Sequence, residues 1–585
     1  MDSPGTAGDV LRGDPAGVHA VLDLDASGWG SLVFGEPRRA IAAESIEEVL
    51  PAIRTAEREA ANGRWAVGFV AYEAAPAFDP ALRVRPGRGP LAWFGVHDAP
   101  LVRAGSGQAG GRVVALEPDL DADAHARAVA AIREGIGTGA FYQVNLTFRI
   151  HGRLEGGPLA LYHCLRAAQG GGETAFLRTG PLAIVSASPE LFLLRRGKDV
   201  SSRPMKGTAR RGRWPEEDEQ VRVRLLASEK ERAENVMIAD LLRNDLGRVA
   251  TTGSVRADPL VAAERLRSVW QLTSTVSARL RKGTGLAGLL GATFPCGSVT
   301  GAPKVAAMRA IADLERSPRG AYCGAVGAIA PGGEACFNVA IRTAVVDLRN
   351  GSLVYGTGGG ITWDSDPRAE WDEACAKAQV LRLDPALPSL LETMRLEDGR
   401  VALLEGHLAR LAGSARYHGI PADLDAVRRR IALERGNARL RLLISPDSVF
   451  AVERAALPAP VVGPVPVALS ADPVDRRDPA LFHKTSLRAP YDRRRAARPD
   501  VFDVLLVNGE GEVTEGSFSN LVADVDGERV TPPLDCGLLP GVFRSAILSR
   551  GEVKERTLRP GDLARARSLW LVNALRGWTE ARLVP

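Results

Sequence analysis

Apolar positions along the 585-residue chain change their spacing from one stretch to the next, and each change predicts an element. Between residues 20 and 100 the runs AVLDLD, RWAVGFVAYEA and LAWFGV are apolar segments of strand length. The stretch IEEVLPAIRTAEREAANG between them repeats its apolar residues at helical spacing and stops on Gly63, so a sheet with helices laid over it is expected. Residues 122–137, ADAHARAVAAIREGIG, predict another helix, followed directly by a strand in FYQVNLTFRI. From 216 to 248 acidic and basic residues alternate around a stripe of Val, Leu, Ile and Met, which predicts one long surface helix. The segment AGSGQAGG, around 105–111, reads as a loop. At 382–389, RLDPALPS, two prolines interrupt a helical pattern before the strand-like LLETMRLEDG, and the domain junction is placed there.

Length agrees with that division, because single cores stop growing near ~250–300 residues. The expected domains are residues 1–383, with core motifs over 120–380, a linker at 384–389, and residues 390–585. A 45% hydrophobic and 25% charged composition is that of a globular chain, and a formal charge of +5 scattered without a stripe gives no case for nucleic acid. The start MDSPGTAGDVLRGDPAG shows no secretory pattern, and no run of about 18 apolar residues predicts a membrane span. Six widely spread cysteines without CxxC or zinc spacing point to reduced thiols in a cytoplasm.

Candidate chemistry begins with two glutamate pairs, Glu231 with Glu234 and Glu370 with Glu373. Residues three apart share a helix face, so each pair can aim two carboxylates at one point. Four converging carboxylates require a cation between them, and oxygen-only ligands select a hard ion such as magnesium. Spacing alone is a weak signal, because glutamates three apart are commonplace on solvated helices.

Eight further segments bear on that choice: FYQVNLT (141–147), SASPELF (186–192), RPMKGTARRG (203–212), AENVMIADLLRNDLGR (233–248), FPCGSVTGAPKVAAMRAI (294–311), SPRGAYCGAVG (317–327), FNVAIRTAVV (337–346) and YGTGGGITWDSDP (355–367). In order and spacing they resemble the chorismate-utilising enzymes, over most of residues 65–383. The resemblance is closest to component I of aminodeoxychorismate synthase, because Lys206 stands in PMKGT where anthranilate synthases typically carry Ala. It implies an α+β fold of antiparallel sheets packed as a sandwich with surrounding helices, and chorismate as substrate. Lys206 would attack ring carbon C2 while the C4 hydroxyl leaves and ammonia enters, which requires a lysine of lowered pKa. Glu190 resembles the general acid for the departing hydroxyl. Gln143 takes the place where water-using relatives carry a Lys base. Arg342, Tyr322 and the backbone N–H groups of Gly358, Gly359 and Gly360 would hold substrate carboxylates, and Thr300 and Lys304 would line the site. Gln271 and Asn235 stand where anthranilate synthases and some relatives have His, and Cys296 replaces a more usual Gly. No cysteine sits on a glutaminase-like elbow, so ammonia from a separate glutamine amidotransferase subunit is expected.

The remainder resembles the fold-type IV pyridoxal-phosphate enzymes through LLETMRLEDG, EGHLARLAGSARYHGI, LFHKTSLRAPYD, LLVNGEGEVTEGSFSNLV, GLLPGVFRSAIL and LVNALRGW. That group contains aminodeoxychorismate lyase, branched-chain aminotransferases and D-amino-acid aminotransferases. A two-subdomain α/β fold and pyridoxal 5'-phosphate are implied, with Lys484 carrying the cofactor and Glu515 facing its ring nitrogen. Arg410 and the turn holding Gly541, Val542 and Phe543 would bind its phosphate, Phe543 standing where relatives often place Thr. Thr393 is a further site candidate, and a homodimer through this domain is the expectation. The combined reading is 4-aminobenzoate synthesis by amination of chorismate and loss of pyruvate. Alternatives are an aminotransferase or inactive second domain, or an anthranilate synthase in the first.

Overall fold

The strand-like runs near the start of the chain enter two different sheets of the computed structural model, which describes residues 17–101, 111–382 and 387–585. Most of the glycine-rich loop around 105–111 and residues 383–386 of the junction lie outside the described residues. Two units are distinguished: Met1–Arg210 with Arg222–Ala386, and Arg211–Val221 with Leu387–Pro585.

In the first unit Ala20–Leu24 pairs with Ser31–Phe34 and Glu173–Thr179 in a nine-stranded antiparallel sheet that also holds Gln143–Glu155 and Ser352–Ile361. Trp65–Val70 pairs with Ala325–Ile329 and Ala92–His97 in a second nine-stranded antiparallel sheet. Successive side chains of a strand point to opposite faces, and the burial follows that rule. Ala20, Leu22 and Leu24 meet Val67, Phe69 and Val326 between the two sheets. Val21 points the other way, into a core shared with Leu161, Tyr162 and Leu165 of the helix Pro158–Gln169. The outer face of the second sheet is covered by the helices Ile46–Ala61, Glu229–Gly247 and Leu286–Thr293. A sandwich inside a shell of helices results.

The charged stretch 216–248 is two helices, Pro215–Ala227 and Glu229–Gly247, where one was expected. Ser228 separates them in extended conformation, and its hydroxyl oxygen accepts the Glu231 N–H at 3.4 Å. An N-cap satisfies a helix-end amide at the cost of one residue, too short a break to disturb the charge pattern. A third sheet of Met205–Arg210, Val269–Thr273 and Ala262–Arg265 lies beside the second of these helices.

The second unit has a four-stranded antiparallel sheet centred on Leu390–Glu397 and Ala438–Ile444, packed on the helices Leu404–His418 and Leu424–Ile431. Its other sheet has eight strands and is mixed, Val465–Leu469 running parallel to both Asp503–Val507 and Gly577–Leu583. No helix among the described residues is long and apolar enough to cross a membrane.

One buried charge network ties the first unit together. Glu315 accepts from the Thr147 N–H at 2.9 Å, the Thr147 hydroxyl at 2.7 Å and Arg319 Nε at 3.0 Å, with Arg149 3.4 Å away. Arg319 also donates to the carbonyls of Val299 and Asn145 at 2.7 and 2.8 Å. Removing one partner of a buried pair leaves an uncompensated charge, which costs about 3–5 kcal/mol. Arg319→Ala should destabilise the first unit by about that amount, read as an earlier first transition in urea unfolding.

Candidate active sites

Lys206 leaves its strand where the ladder slips. The pairing of Met205–Arg210 with Val269–Thr273 shifts register between Met205 and Thr208, and Gly207 adopts φ +89°. That φ favours glycine, and a Cβ there would also press on the side-chain ends of Leu272 and Glu231 at 2.9 and 3.1 Å. Within the slip, side chains reach the Lys206 and Gly207 carbonyls. Asn235 Nδ2 donates to the Lys206 carbonyl and to that of Leu272, both at 3.1 Å, and Gln271 Nε2 donates to the Gly207 carbonyl at 2.9 Å. The two residues noted in sequence as departures from His therefore hold the backbone that presents the lysine.

Its side chain enters a cavity of about 220 Å³ lined also by Glu190, Tyr322, Arg342, Gly358, Gly359, Gly360 and all four paired glutamates. Burial, then the Lys377 ammonium, lowers the Lys206 pKa. Glu190 is buried, one of its carboxylate oxygens has no hydrogen-bond partner, and desolvation pushes its pKa up to about 7. A carboxyl in that state keeps its proton near neutrality. Gln143 is buried with its amide oxygen unpartnered. A Cβ on Gly360 would collide with Gln143 Nε2 and lie 2.7 Å from Lys206 Nζ, which places amide, amine and bare backbone side by side. Arg342 donates to Gln169 and has no carboxylate partner among the described residues, so a half-buried guanidinium faces a cavity able to receive an anion.

Glu231 and Glu234 stand on the helix Glu229–Gly247, Glu370 and Glu373 on Pro367–Ala378. Burial and the neighbouring carboxylates Glu231 and Glu373 raise the Glu234 pKa. Lys377, one helical turn beyond Glu373, lies 2.8 Å from it and donates to the Gly358 carbonyl at 2.9 Å. An oxygen-only donor set suits a hard cation. Among the described residues, however, no three His, Cys, Asp or Glu side chains are gathered closely enough to hold an ion. Lys377, with Lys230 and Ser298, escaped sequence reasoning; its spacing of four from Glu373 and seven from Glu370 was the available signal.

Two expected lining residues are elsewhere. The Thr300 hydroxyl donates to the Cys296 and Gly297 carbonyls, and the Lys304 ammonium is tied to Asp245 at 2.9 Å and to the Thr293 carbonyl at 3.0 Å. Both stabilise the turn behind the cavity because their polar ends have buried partners there. Cys296 sits in the same turn with its sulfur 3.2 Å from the Ser298 hydroxyl.

The second unit has a cavity of about 350 Å³ lined by Lys484, Glu515, Arg410, Thr393, Gly541 and Val542. Burial, then the Arg410 charge, lowers the Lys484 pKa to about 8. Glu515 receives the Tyr491 hydroxyl at 3.0 Å, the Leu539 N–H at 3.0 Å and Asn520 Nδ2 at 3.1 Å, and burial pushes its pKa to about 8. It can therefore offer a proton to a ring nitrogen. Arg410 forks onto buried Glu392 at 2.9 and 2.6 Å and reaches the Pro540 carbonyl at 3.2 Å, which fixes the guanidinium beside the turn before the helix Val542–Ser549. A Cβ on Gly541 would collide with Asn520. Phe543 does not line the cavity: its ring packs at 6.3 Å from Trp578, in an apolar cluster with Ile547. Arg439, Arg495 and Arg576, unforeseen from sequence, also line it, and none pairs with a carboxylate among the described residues.

Each of the two cavities lies in a segment that is similar to known proteins. Residues 106–382 match the chorismate binding enzyme family and residues 389–584 the class IV amino-transferases. Over 271 residues the chain is 42% identical to an aminodeoxychorismate synthase of Streptomyces griseus, covering 46% of this chain and 37% of that protein. It is 41% identical over 253 residues to an anthranilate synthase component 1 of Aquifex aeolicus, covering 43% of this chain and 51% of that one. The chain thus spans between about a third and a half of these relatives' length. The fold of anthranilate synthase component I from Streptococcus pneumoniae superposes with a TM-score of 0.51 at 23% identity, over 66% of this chain and all of that one. Both halves fall in enzyme families.

The Glu190 carboxyl should keep its proton to about pH 7. Difference infrared spectroscopy should show a carboxylic C=O stretch that fades as pH rises through that value and is absent in Glu190→Gln.

Proposed function

We propose that this chain, a chorismate-binding-enzyme domain followed by a class IV amino-transferase domain, makes 4-aminobenzoate in two steps. Chorismate is aminated to 4-amino-4-deoxychorismate in the first cavity, and pyruvate is lost in the second. The observation that carries the reading is the lysine amine of Lys206 beside Gln143, in one cavity with the protonated carboxyl of Glu190.

Lys206 Nζ, its lone pair freed by burial, bonds ring carbon C2 as the C4–O bond breaks. Glu190 gives its proton to the departing hydroxyl, which leaves as water. Ammonia then bonds C4, the C2–N bond to Lys206 breaks, and the proton shed by the new ammonium restores Glu190. Gln143 has no basic site to activate water, which favours ammonia over water as the incoming group. Arg342 and the Gly358–Gly360 backbone hold the substrate's carboxylates. Glu231, Glu234, Glu370 and Glu373 share the cavity but do not by themselves close around one ion, so magnesium would be held there by these carboxylates together with oxygens of the anionic substrate, whose charge it would offset. Ammonia from a separate glutamine amidotransferase would supply the incoming nitrogen.

In the second cavity Lys484, Glu515, Arg410 and the Gly541–Val542 turn would hold pyridoxal phosphate. The donor set fits: a desolvated amine for the aldehyde, a proton-bearing carboxyl for the ring nitrogen, and a helix-start turn with a guanidinium for the phosphate. The cofactor supplies an electron sink for breaking a C–H bond next to nitrogen. Lys484 Nζ, with a pKa near neutrality, can take and return a proton. Arg439, Arg495 and Arg576 give the cavity more guanidinium than one carboxylate needs, which favours a substrate with two.

Mass spectrometry of products from chorismate, ammonium, magnesium and pyridoxal phosphate tests both steps. The intact chain should yield 4-aminobenzoate and pyruvate, Lys206→Ala neither, and Lys484→Ala only 4-amino-4-deoxychorismate. Anthranilate as product, or 2-oxoglutarate turnover without pyruvate release, would replace the first or second step by the corresponding alternative. The rate of chorismate consumption should fall as pH rises through about 7, where Glu190 loses its proton. Glu190→Gln should remove that limb and slow the step by about 10²–10⁴.

A further inference from the structure

Residues Arg211–Val221 fall in sequence between the Lys206 strand and the Glu231 helix, yet they pack as part of the second unit. The segment is stiff. Buried Arg211 forks onto Asp218 with two hydrogen bonds of 2.7 Å, and the Gly212 N–H donates to the same carboxylate at 3.0 Å. Such a bidentate pair fixes orientation as well as distance. The Trp214 ring lies 5.1 Å from that of Phe482 at a tilt of 31° and packs on a cluster of Val474, Leu481, Phe482, Tyr491 and Leu506. Pro215 lies against the helix Leu404–His418 at Gly413, where a Cβ would sit 3.1 Å from its ring.

The Arg213 carbonyl lies 3.1 Å from His483 Nε2, and the Ser414 hydroxyl 3.0 Å from His483 Nδ1. A carbonyl can only accept, so Nε2 carries the hydrogen and the neutral ring accepts from Ser414. Tyr417 stacks on the same ring at 4.2 Å. His483 and Phe482 are the two residues before Lys484, in a stretch between the turn Pro479–Leu481 and the helix Ala489–Ala496 that has no regular structure of its own. On its far side the Lys484 carbonyl accepts from the Leu391 N–H at 2.9 Å. Tyr491, in the Trp214 cluster, donates to Glu515. The lysine and the acid of this cavity both lean on the inserted segment.

We propose that Arg211–Val221 is a positioning element of the cofactor site: the Arg213 carbonyl and the Trp214 ring set where Lys484 stands, so residues 387–585 do not make a complete site by themselves. The inference rests on the reading that this cavity holds pyridoxal phosphate.

The test uses the full chain and measures the pyridoxal-phosphate dissociation constant by absorbance titration, with hydrogen exchange of residues 482–486 alongside. Trp214→Ala and His483→Leu should weaken binding about tenfold or more and speed exchange. His483→Gln, whose amide can donate to the Arg213 carbonyl, should recover most of the affinity, and Trp214→Phe most of what Trp214→Ala loses. Chorismate consumption in the same preparations should be unchanged, which separates positioning from unfolding. Wild-type affinity in Trp214→Ala and His483→Leu, or a His483→Gln variant as impaired as His483→Leu, overturns the inference alone. An intact chain that binds no pyridoxal phosphate overturns it together with the proposed second step.

Discussion

An amine serves as a nucleophile only when it is taken out of water and kept from holding its proton too tightly. At Lys206 that constraint reaches into the backbone. The amine enters the cavity from a strand whose ladder slips at Gly207, and Asn235 and Gln271 donate to the two carbonyls at the slip. Buried backbone groups without partners are costly, so such a slip has to be answered by side chains from other elements. The helix bearing Glu231 and Glu234 and the strand bearing Gln271 thereby become parts of the lysine's support. The same helix carries carboxylates and the amide that holds Lys206, which couples their positions.

Lys484 meets the same demand with a different backbone. It lies outside regular strand or helix, and its neighbours do the holding: Leu391 from one side, the anchored ring of His483 and the packed ring of Phe482 from the other. Loops positioned by a rigid scaffold commonly carry functional groups, since backbone there need not satisfy a ladder. Glu515 is held more conventionally, by a hydroxyl, an amide side chain and a backbone N–H.

Behind the first cavity, Glu315 and Arg319 join the strand Gln143–Glu155 to the turn at Val299. Their value lies less in net stability than in registry: Asn145 and Val299, whose carbonyls Arg319 holds, both line the cavity. A buried pair of this kind converts local rigidity into fixed distances across the site.

Much of this was legible in residue order. The helix Ile46–Ala61, which stops two residues before Gly63, the strands at 65–70 and 92–97, the sandwich class and the glutamate pairs follow from spacing or from ordered motifs, because local periodicity and nearby motif residues are properties of short stretches of chain. Thr300 and Lys304 were misplaced because a motif says which residues occur together, whereas their polar ends are claimed by partners remote in sequence such as Asp245. The break at Ser228, the support given by Asn235 and Gln271, and the membership of Arg211–Val221 in the second unit were likewise decided only on folding. Each depends on which distant group comes within hydrogen-bond reach, and that is a property of the packed chain and of no single stretch of it.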